Sequence, residues 1–166
     1  MRHRMLTAIL ALMTVGQVTA QKQTLRDLFK QMPDSLMPCL SQNNRLDFID
    51  FIDSNMKAEV VNLLGGKSEM TSLADDSLSI RMTPVSKVDL LLLPLDHPST
   101  DSISRVVVMV ETWYADSVHG ESRVRYFSPA WKPLSAPVLS VAQVERVSQH
   151  NLQNILKKDD DELNKR

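Results

Sequence analysis

The sequence is poor in cysteine, glycine and aromatic residues, and it has no large excess of charge of either sign. Its single cysteine, Cys39, excludes an internal disulfide and any Cys-x-x-Cys metal or redox motif. Nineteen basic and twenty acidic residues leave a net charge of −1, so the chain lacks the basic surface that broad nucleic-acid binding requires. The composition is otherwise that of a globular protein, 43% hydrophobic and 23% charged, and 166 residues suffice for one domain.

The sequence also lacks the short motifs of the common enzyme classes. It contains no Gly-x-Ser-x-Gly elbow and no His-Glu-x-x-His zinc motif. Residues 65–68 (GGKS) resemble part of a phosphate-binding loop, but such a loop follows a strand and begins a helix, the reverse of the order predicted here. His97 and His119 fall in loops at opposite ends of the predicted sheet, so we expect no histidine cluster. These absences favour binding over catalysis without deciding between them, and no cofactor is predicted.

The first 20 residues have the three parts of a secretory signal peptide. Arg2 and Arg4 are basic, residues 5–15 form an apolar run, and Val18 and Ala20 supply the small side chains that precede a cleavage site. The run is shorter than the about 20 apolar residues that span a bilayer, and no later segment is apolar enough to do so. We predict cleavage after Ala20 and residence in the periplasm or outside the cell.

Two helices are predicted at the start of the mature chain. Thr24 and Asp27 form a capping pair for the first helix, which has an apolar face and ends before Pro33. The second helix is predicted to begin at an Asn44 cap, with Asp47 at its third position, and to continue as far as the glycine pair at 65–66. The apolar positions of its core-facing stripe are Ile49, Ile52, Met56, Val60 and Leu63.

From residue 69 the apolar period changes from that of a helix to that of a strand. Five strands are predicted, at residues 69–73, 78–82, 85–93, 103–114 and 122–128, and their short connections favour an antiparallel meander. A two-residue turn at 75–76 would place Leu73 opposite Leu78. The same register would place Thr71 opposite Ile80. The fourth strand contains VVVMV, which indicates burial on both faces.

A final helix is predicted over residues 141–158, with Ser140 and Gln143 as its capping pair. Trp131, in the proline-containing segment before this helix, is expected to anchor that segment to the core. Residues 159–166 form a charged tail. The predicted fold class is therefore α+β: N-terminal helices, an antiparallel meander sheet of about five strands and a C-terminal helix, in a single domain over residues 21–158.

Aromatic and basic side chains on the last two predicted strands indicate a candidate ligand site. Trp113 and Tyr114 end the fourth strand, while Arg123 and Tyr126 lie on the fifth, its expected neighbour. Residues of this kind can line a pocket between a sheet and its helices, although cross-strand aromatic pairs also stabilise sheets without binding anything. We predict these four as the ligand-binding residues, and we predict no catalytic residue.

Acidic residues in two predicted loops form a candidate metal site. The topology brings the turn with Asp75 and Asp76 to the same end of the sheet as the loop that contains Asp96, His97 and Asp101. Carboxylates and an imidazole could bind a cation such as Ca²⁺ there. Aspartate is also an ordinary turn residue, because its side chain bonds the nearby backbone, so both interpretations stay open.

Four segments of the chain are similar to a known family. They are MPDSLMPCLSQNNRLDFIDFIDSNMKAEV (residues 32–60), GGKSEMTSLADDSLSIRMTP (65–84), VETWY (110–114) and WKPL (131–134). These segments resemble an exported-protein family of Bacteroidales-type anaerobes that is classified as domain of unknown function family 3256. The resemblance covers nearly all of the mature chain. It implies a signal peptide and residence in the periplasm or at the cell surface, and it supplies no catalytic residues.

We expect an exported binding module of the cell envelope. The predicted sheet has helices on one face, so its other face or an edge strand could engage an envelope protein or a surface component. Two alternatives stay open: a small-molecule or hydrolytic pocket between the sheet and the helices, and a homodimer formed through strand edges. No binding of nucleic acid and no transmembrane segment after signal cleavage are expected.

Overall fold

The computed structural model describes residues 23–95, 103–116, 120–136 and 139–148. The predicted signal peptide lies outside these ranges, as do the second half of the predicted C-terminal helix and the charged tail. Within these ranges the chain is an α+β unit, in which N-terminal helices precede an antiparallel sheet and a further helix begins at residue 141. The predicted α+β class, with N-terminal helices and an antiparallel sheet, is therefore confirmed, although the sheet has seven strands instead of about five.

The described residues form three α-helices, one short 3-10 helix and one seven-stranded sheet. α1 spans Leu25–Lys30, the 3-10 helix Asp34–Leu36 and α2 Gln42–Asp53, while α3 begins at residue 141 and is helical to residue 148. The strands are β1 (Glu59–Val61), β2 (Lys67–Leu73), β3 (Ser77–Thr83), β4 (Ser86–Pro94), β5 (Arg105–Tyr114), β6 (Gly120–Phe127) and β7 (Pro133–Leu134). All neighbours pair antiparallel, in sequence order. The short strands β1 and β7 were not predicted. No helix in the described part of the chain is long and apolar enough to span a membrane.

The first helix begins at the predicted cap. The Thr24 hydroxyl accepts a hydrogen bond from the Asp27 backbone N–H, and the Asp27 carboxylate accepts one from the Thr24 N–H. Hydrogen bonds from Thr24, its hydroxyl first, lower the pKa of the Asp27 carboxyl below its ordinary value. Leu25, Leu28 and Phe29 are fully buried, so the predicted apolar face is confirmed.

The second helix begins three residues earlier than predicted. Ser41 is the N-cap, and its hydroxyl accepts from the Asn44 N–H while the Asn44 side chain accepts from the Ser41 N–H. Asn44 is therefore the third helical residue and not the cap. The same residue reaches β1 through a hydrogen bond of 3.3 Å from Nδ2 to the Val61 carbonyl.

The second helix also ends much earlier than predicted. It stops at Asp53, before Asn55, whose φ of 55° is left-handed, a conformation that asparagine tolerates better than most residues. The predicted continuation toward residue 65 is wrong: Val60 lies in β1, and Met56 and Leu63 are exposed. The β-branched pair Val60 and Val61 favours a strand over a helix at this point.

The glycine pair turns the chain between β1 and β2 instead of ending a helix. Gly65 has a φ of 79°, which glycine adopts without a steric penalty. The Asn62 side-chain oxygen accepts from the N–H groups of Leu64 and Gly66 at 3.0 and 3.1 Å. These bonds satisfy the backbone of the turn and bring β1 against β2.

The hairpin between β2 and β3 has the predicted turn but not the full predicted register. Leu73 lies opposite Leu78, as predicted. Ile80 lies opposite Met70 instead of Thr71, because an irregularity between residues 70 and 72 places an extra residue in β2. The side chains of Leu78, Ile80 and Met82 are buried, so the predicted buried face of β3 is confirmed.

The central strands are buried on both faces. Val107 and Met109 belong to a core cluster that contains the apolar residues of α1 and α2, whereas Val106, Val108 and Val110 belong to a second cluster on the opposite face. The prediction for VVVMV is confirmed. Since Val147 of α3 packs in the second cluster, that face is not the open surface that the sequence led us to expect.

Trp131 anchors the segment after β6 to the first helix. Its indole Nε1 donates to the Leu28 carbonyl at 2.9 Å, and its ring lies 5.8 Å from that of Phe127. The side chain is buried, as predicted. Its backbone φ of 59° is rare for a bulky residue, and these contacts hold it there.

Candidate functional site

One end of the sheet collects the β1–β2 turn, the β3–β4 turn and the end of β5. The Asn62 amide donates to the Met82 carbonyl at 3.4 Å, which joins the first turn to the end of β3. The Tyr114 N–H donates to the Val85 carbonyl at 2.9 Å, which joins the second turn to the end of β5. Residues that are distant in sequence therefore share one surface.

This surface carries large apolar side chains that the fold leaves exposed. We call them the rim: Leu63 (65% exposed), Leu64 (74%), Val85 (55%) and Trp113 (46%). Single exposed apolar residues are common, but several at one end of a domain are typical of an interaction site. Of these four, only Trp113 was predicted from the sequence to bind a ligand.

A cleft of about 320 Å³ opens beside the rim, between residues 35–39 and the sheet. Residues 35–39, which begin inside the 3-10 helix, form one wall. The sheet wall consists of Met82, residues 86–88, Glu111, Trp113, Arg123 and Arg125. The volume is at the lower end of the range of about 300–1,000 Å³ that is usual for small-ligand sites.

A buried arginine holds the wall of residues 35–39 in place. Arg45 of α2 is 1% exposed. Its Nη1 and Nη2 atoms donate to the carbonyl oxygens of Leu40 and Met32 at 3.1 and 2.5 Å, and Nη2 also pairs with Asp34 at 2.8 Å. One guanidinium thus fastens both ends of the segment that contains the wall.

Two arginines of β6 converge on one carboxylate inside the cleft. Arg123 approaches Glu111 Oε2 through Nε at 3.0 Å and Nη2 at 2.9 Å. Arg125 approaches the same oxygen through Nε at 3.0 Å, and its Nη2 donates to the Leu36 carbonyl at 3.2 Å. Two positive charges therefore share one negative charge, and Arg125 connects the sheet to the opposite wall.

Trp113 and Arg123 form a stacked pair at the mouth of the cleft. The Arg123 guanidinium carbon lies 5.5 Å from the centre of the Trp113 ring, within the range of a cation–π interaction. Glu111 lies opposite Arg123 and Trp113 lies opposite Glu121 in the paired strands β5 and β6. Trp113 and Arg123 are therefore diagonal neighbours on the same face of the sheet.

The structure separates the four predicted ligand-binding residues into two pairs. Trp113 and Arg123 line the cleft. Tyr126 packs against the second core cluster, on the opposite face. Tyr114 follows Trp113 in β5, so its side chain points to that opposite face as well. Burial, together with the nearby negative charge of Asp89, raises the pKa of the Tyr114 hydroxyl above its ordinary value.

The wall of residues 35–39, Glu111 and the role of Arg125 were not predicted from the sequence. Glu111 stands two residues before Trp113, and Arg125 two residues after Arg123. Because side chains alternate along a strand, Glu111, Trp113, Arg123 and Arg125 lie on one face of the sheet. The opposite charges across the paired strands were the signal from which this site could have been predicted. The position of residues 35–39 depends on Arg45, and nothing local in the sequence predicts that contact.

A buried polar cluster occupies the other face near the same end of the sheet. The Ser79 hydroxyl donates to Asp89 Oδ1 at 2.5 Å, and Lys87 Nζ pairs with that oxygen at 2.8 Å. The three side chains are buried. Ser79 and Asp89 thus do not share a face with Arg123 and Arg125.

The predicted metal site lies largely outside the described residues. Asp96, His97 and Asp101 fall in the gap at 96–102. Asp76 accepts from Arg146 at 2.7 Å through its carboxylate and from the Leu92 N–H at 2.8 Å through its carbonyl. In the ranges that the structure describes, no cluster of three or more His, Cys, Asp or Glu side chains could hold a metal, so this site stays a prediction.

Comparisons with known proteins give a family and a fold. The family model described as "Protein of unknown function (DUF3256)" matches residues 17–165. No curated protein matches the chain. A solved structure of a domain of an uncharacterized protein from Porphyromonas gingivalis W83 is similar, with a TM-score of 0.54 and 23% identity over 68% of this chain. This chain spans 54% of that one, and the likeness shows a shared fold alone.

Proposed function

The chain belongs to the DUF3256 family of proteins of unknown function, and we propose that it is an exported, non-catalytic binding protein of the cell envelope. Its partner is a protein that docks on the rim and the cleft. The observation that carries this proposal is Trp113, which stands 46% exposed at the mouth of a cleft with a guanidinium over its ring. Trp and Arg are the residues most enriched among those that dominate binding energy at protein interfaces.

Export rests on the first 20 residues, whose basic, apolar and small-residue parts match a secretory signal. The test is fractionation of the native host followed by N-terminal sequencing of the recovered protein. We expect the protein in the periplasm or outside the cell, with Gln21 as its first residue. Recovery from the cytosol with residues 1–20 attached would contradict export.

The rim is a better candidate than the β1 edge of the sheet. At the β1 edge, the Val61 carbonyl accepts from Asn44, and the Leu63 N–H donates to the Cys39 carbonyl at 2.9 Å. Groups that are already bonded cannot pair with another strand. At the opposite edge, β7 pairs among the described residues with only Tyr126 and Phe127 of β6. The rest of β6, which contains Arg123 and Arg125, therefore lies at that edge beside the cleft.

Crosslinked affinity capture from envelope fractions tests the binding proposal. Wild-type protein is compared with Trp113→Ala and with Val144→Ala, which removes an apolar side chain of α3 that is also about half exposed. We expect one partner to be recovered with the wild type and with Val144→Ala, and lost with Trp113→Ala. Equal recovery with all three, or no specific partner, would contradict the proposal.

A small-molecule pocket is the second candidate, because the cleft brings Glu111, Arg123 and Arg125 together in about 320 Å³. Thermal-shift screening with envelope metabolites separates the two functions. A metabolite that raises the melting temperature of the wild type but not of Arg123→Gln would favour the pocket, particularly if affinity capture yields no partner. The absence of any such metabolite would favour the protein partner.

A further inference from the structure

We propose that the cleft recognises a carboxylate of the partner, carried next to an apolar side chain. This inference rests on the proposed function and adds the chemistry of the docking group. The carboxylate would lie against the Arg123 guanidinium, and its apolar neighbour would lie against Trp113 and the wall of residues 35–39.

The cleft has more positive than negative charge among the arginine and glutamate side chains that line it. Three N–H donors from Arg123 and Arg125 converge on a single oxygen, Glu111 Oε2. One carboxylate cannot neutralise two guanidinium groups, so the interior of the cleft carries an excess positive charge. The Arg123 side chain is 58% exposed and that of Glu111 only 14%. An approaching anion therefore meets the positive partner of this network first.

The geometry of the arginines favours a carboxylate. A guanidinium presents its donors in a planar fork that matches the two oxygens of a carboxylate. The Trp113 ring stacks on Arg123 and Glu111 binds one side of it, so the fork is oriented before a ligand arrives and less side-chain entropy is lost on binding. Glu121, which pairs with Trp113 across the strands, disfavours a second negative charge at the outer edge.

The apolar walls of the cleft are the reason for placing an apolar side chain next to the carboxylate of the partner. Leu36, Met37 and Pro38 line one side and Met82 the other, and methionine side chains adapt to varied apolar groups. Arg125 connects the walls through its bond to the Leu36 carbonyl. An acidic group flanked by an apolar or aromatic residue would thus satisfy both the arginine fork and the adjacent surface.

NMR titration of the ¹⁵N-labelled protein tests the inference with three small probes. Acetyl-phenylalanine offers a terminal carboxylate, acetyl-Phe-Glu amide offers a side-chain carboxylate, and acetyl-phenylalanine amide offers none. We expect a saturable shift of the Trp113 indole and Arg123 Nε–H signals with at least one carboxylate probe, and binding weaker by about tenfold or more with the amide. The buried Trp131 indole serves as the internal control. Which of the two carboxylate probes binds more tightly identifies the source of the group.

Arg123→Gln and Arg123→Lys complete the test. Since Arg123 is largely exposed, both variants should retain the wild-type spectrum away from the cleft. We expect Arg123→Gln to abolish the preference for the carboxylates, and Arg123→Lys to retain part of it without the stacked fork. Equal binding of acid and amide by the wild type, an undiminished preference in Arg123→Gln, or no saturable shift with any probe would overturn the inference. Affinity capture tests the proposed function separately. If a partner is recovered with the wild type and lost with Trp113→Ala, the proposed function stands even when the carboxylate inference fails. If Trp113→Ala recovers the partner as well as the wild type does, the proposed function is wrong.

Discussion

Replacement of Arg45 by methionine is expected to destabilise the protein and to loosen one wall of the cleft. The Arg45 side chain is fully buried and donates to the carbonyl oxygens of Met32 and Leu40. Methionine retains the apolar stem but cannot donate a hydrogen bond. The variant therefore removes the donor from two backbone carbonyls that face the buried guanidinium, together with the ion pair to Asp34.

The expected magnitude follows from these three contacts. A buried acceptor that loses its donor costs about 1–3 kcal/mol. The Asp34 side chain is mostly exposed, so its ion pair is screened by solvent and adds at most about 1 kcal/mol. Packing of the methionine side chain recovers part of the loss. We expect the free energy of unfolding to fall by about 3–4 kcal/mol, which is a large part of the roughly 5–15 kcal/mol that stabilises a domain.

Urea denaturation monitored by circular dichroism measures this loss, and Arg26→Met is the matched control. Arg26 pairs with Asp53 at 2.6 Å, but both side chains are substantially exposed, so we expect a loss of about 0–1 kcal/mol there. Arg45→Met should lower the midpoint without changing the dependence on urea concentration. Equal losses in the two variants, or a loss below about 1 kcal/mol for Arg45→Met, would refute the role assigned to Arg45.

Three further predictions concern the scaffold. Thr24→Ala removes the capping box of α1 and should cost about 1 kcal/mol in urea denaturation; no loss would contradict the capping role. Trp131→Phe removes the bond to the Leu28 carbonyl and should cost about 1–2 kcal/mol by the same assay, whereas an unchanged midpoint would contradict the anchor. Hydrogen bonds, first from Lys57 and then from Lys67, lower the pKa of the Glu59 carboxyl from 4.5 to about 2. The stabilisation of the folded chain by these contacts is therefore complete above about pH 4.5 and is lost as the pH falls toward 2. NMR titration of the Glu59 carboxyl should give a midpoint near 2, and a midpoint near 4.5 would contradict the pairing.

The elements that sequence reasoning predicted well are specified by adjacent residues. The α1 capping box needs only Thr24 and Asp27, and the burial of VVVMV on both faces follows from an unbroken run of apolar residues. The β2–β3 turn was also local, since Leu73 and Leu78 flank it. The bulge in β2 is not specified by adjacent residues, because an extra residue in one strand is accommodated by contacts with its partner strand.

The helix beyond Asp53 shows how an apolar period can mislead. Val60 and Leu63 continue the helical spacing of the earlier apolar residues, yet the helix ends at Asp53, before Asn55, and Val60 pairs in β1. Strand pairing with β2 outweighs a marginal local helix preference. The β-branched pair and the asparagine were the available signals.

Half of the candidate site could be predicted. Trp113 and Arg123 were identified because aromatic and basic residues on neighbouring strands stand out, while Tyr114 was included although strand alternation puts it on the other face. The opposite wall depends on Arg45, a charged residue that sequence reasoning does not expect in a core. Contacts of this kind join segments that only the folded chain brings together.

Site-specific photocrosslinking in living cells tests the central claim, that the partner docks on the rim. A benzophenone amino acid replaces Val85 on the rim and, in a separate variant, Val144 on α3, two valines of similar exposure. The account predicts one discrete crosslinked species from position 85 and none of that mass from position 144. A crosslinked partner that appears from position 144 and not from position 85 would contradict it.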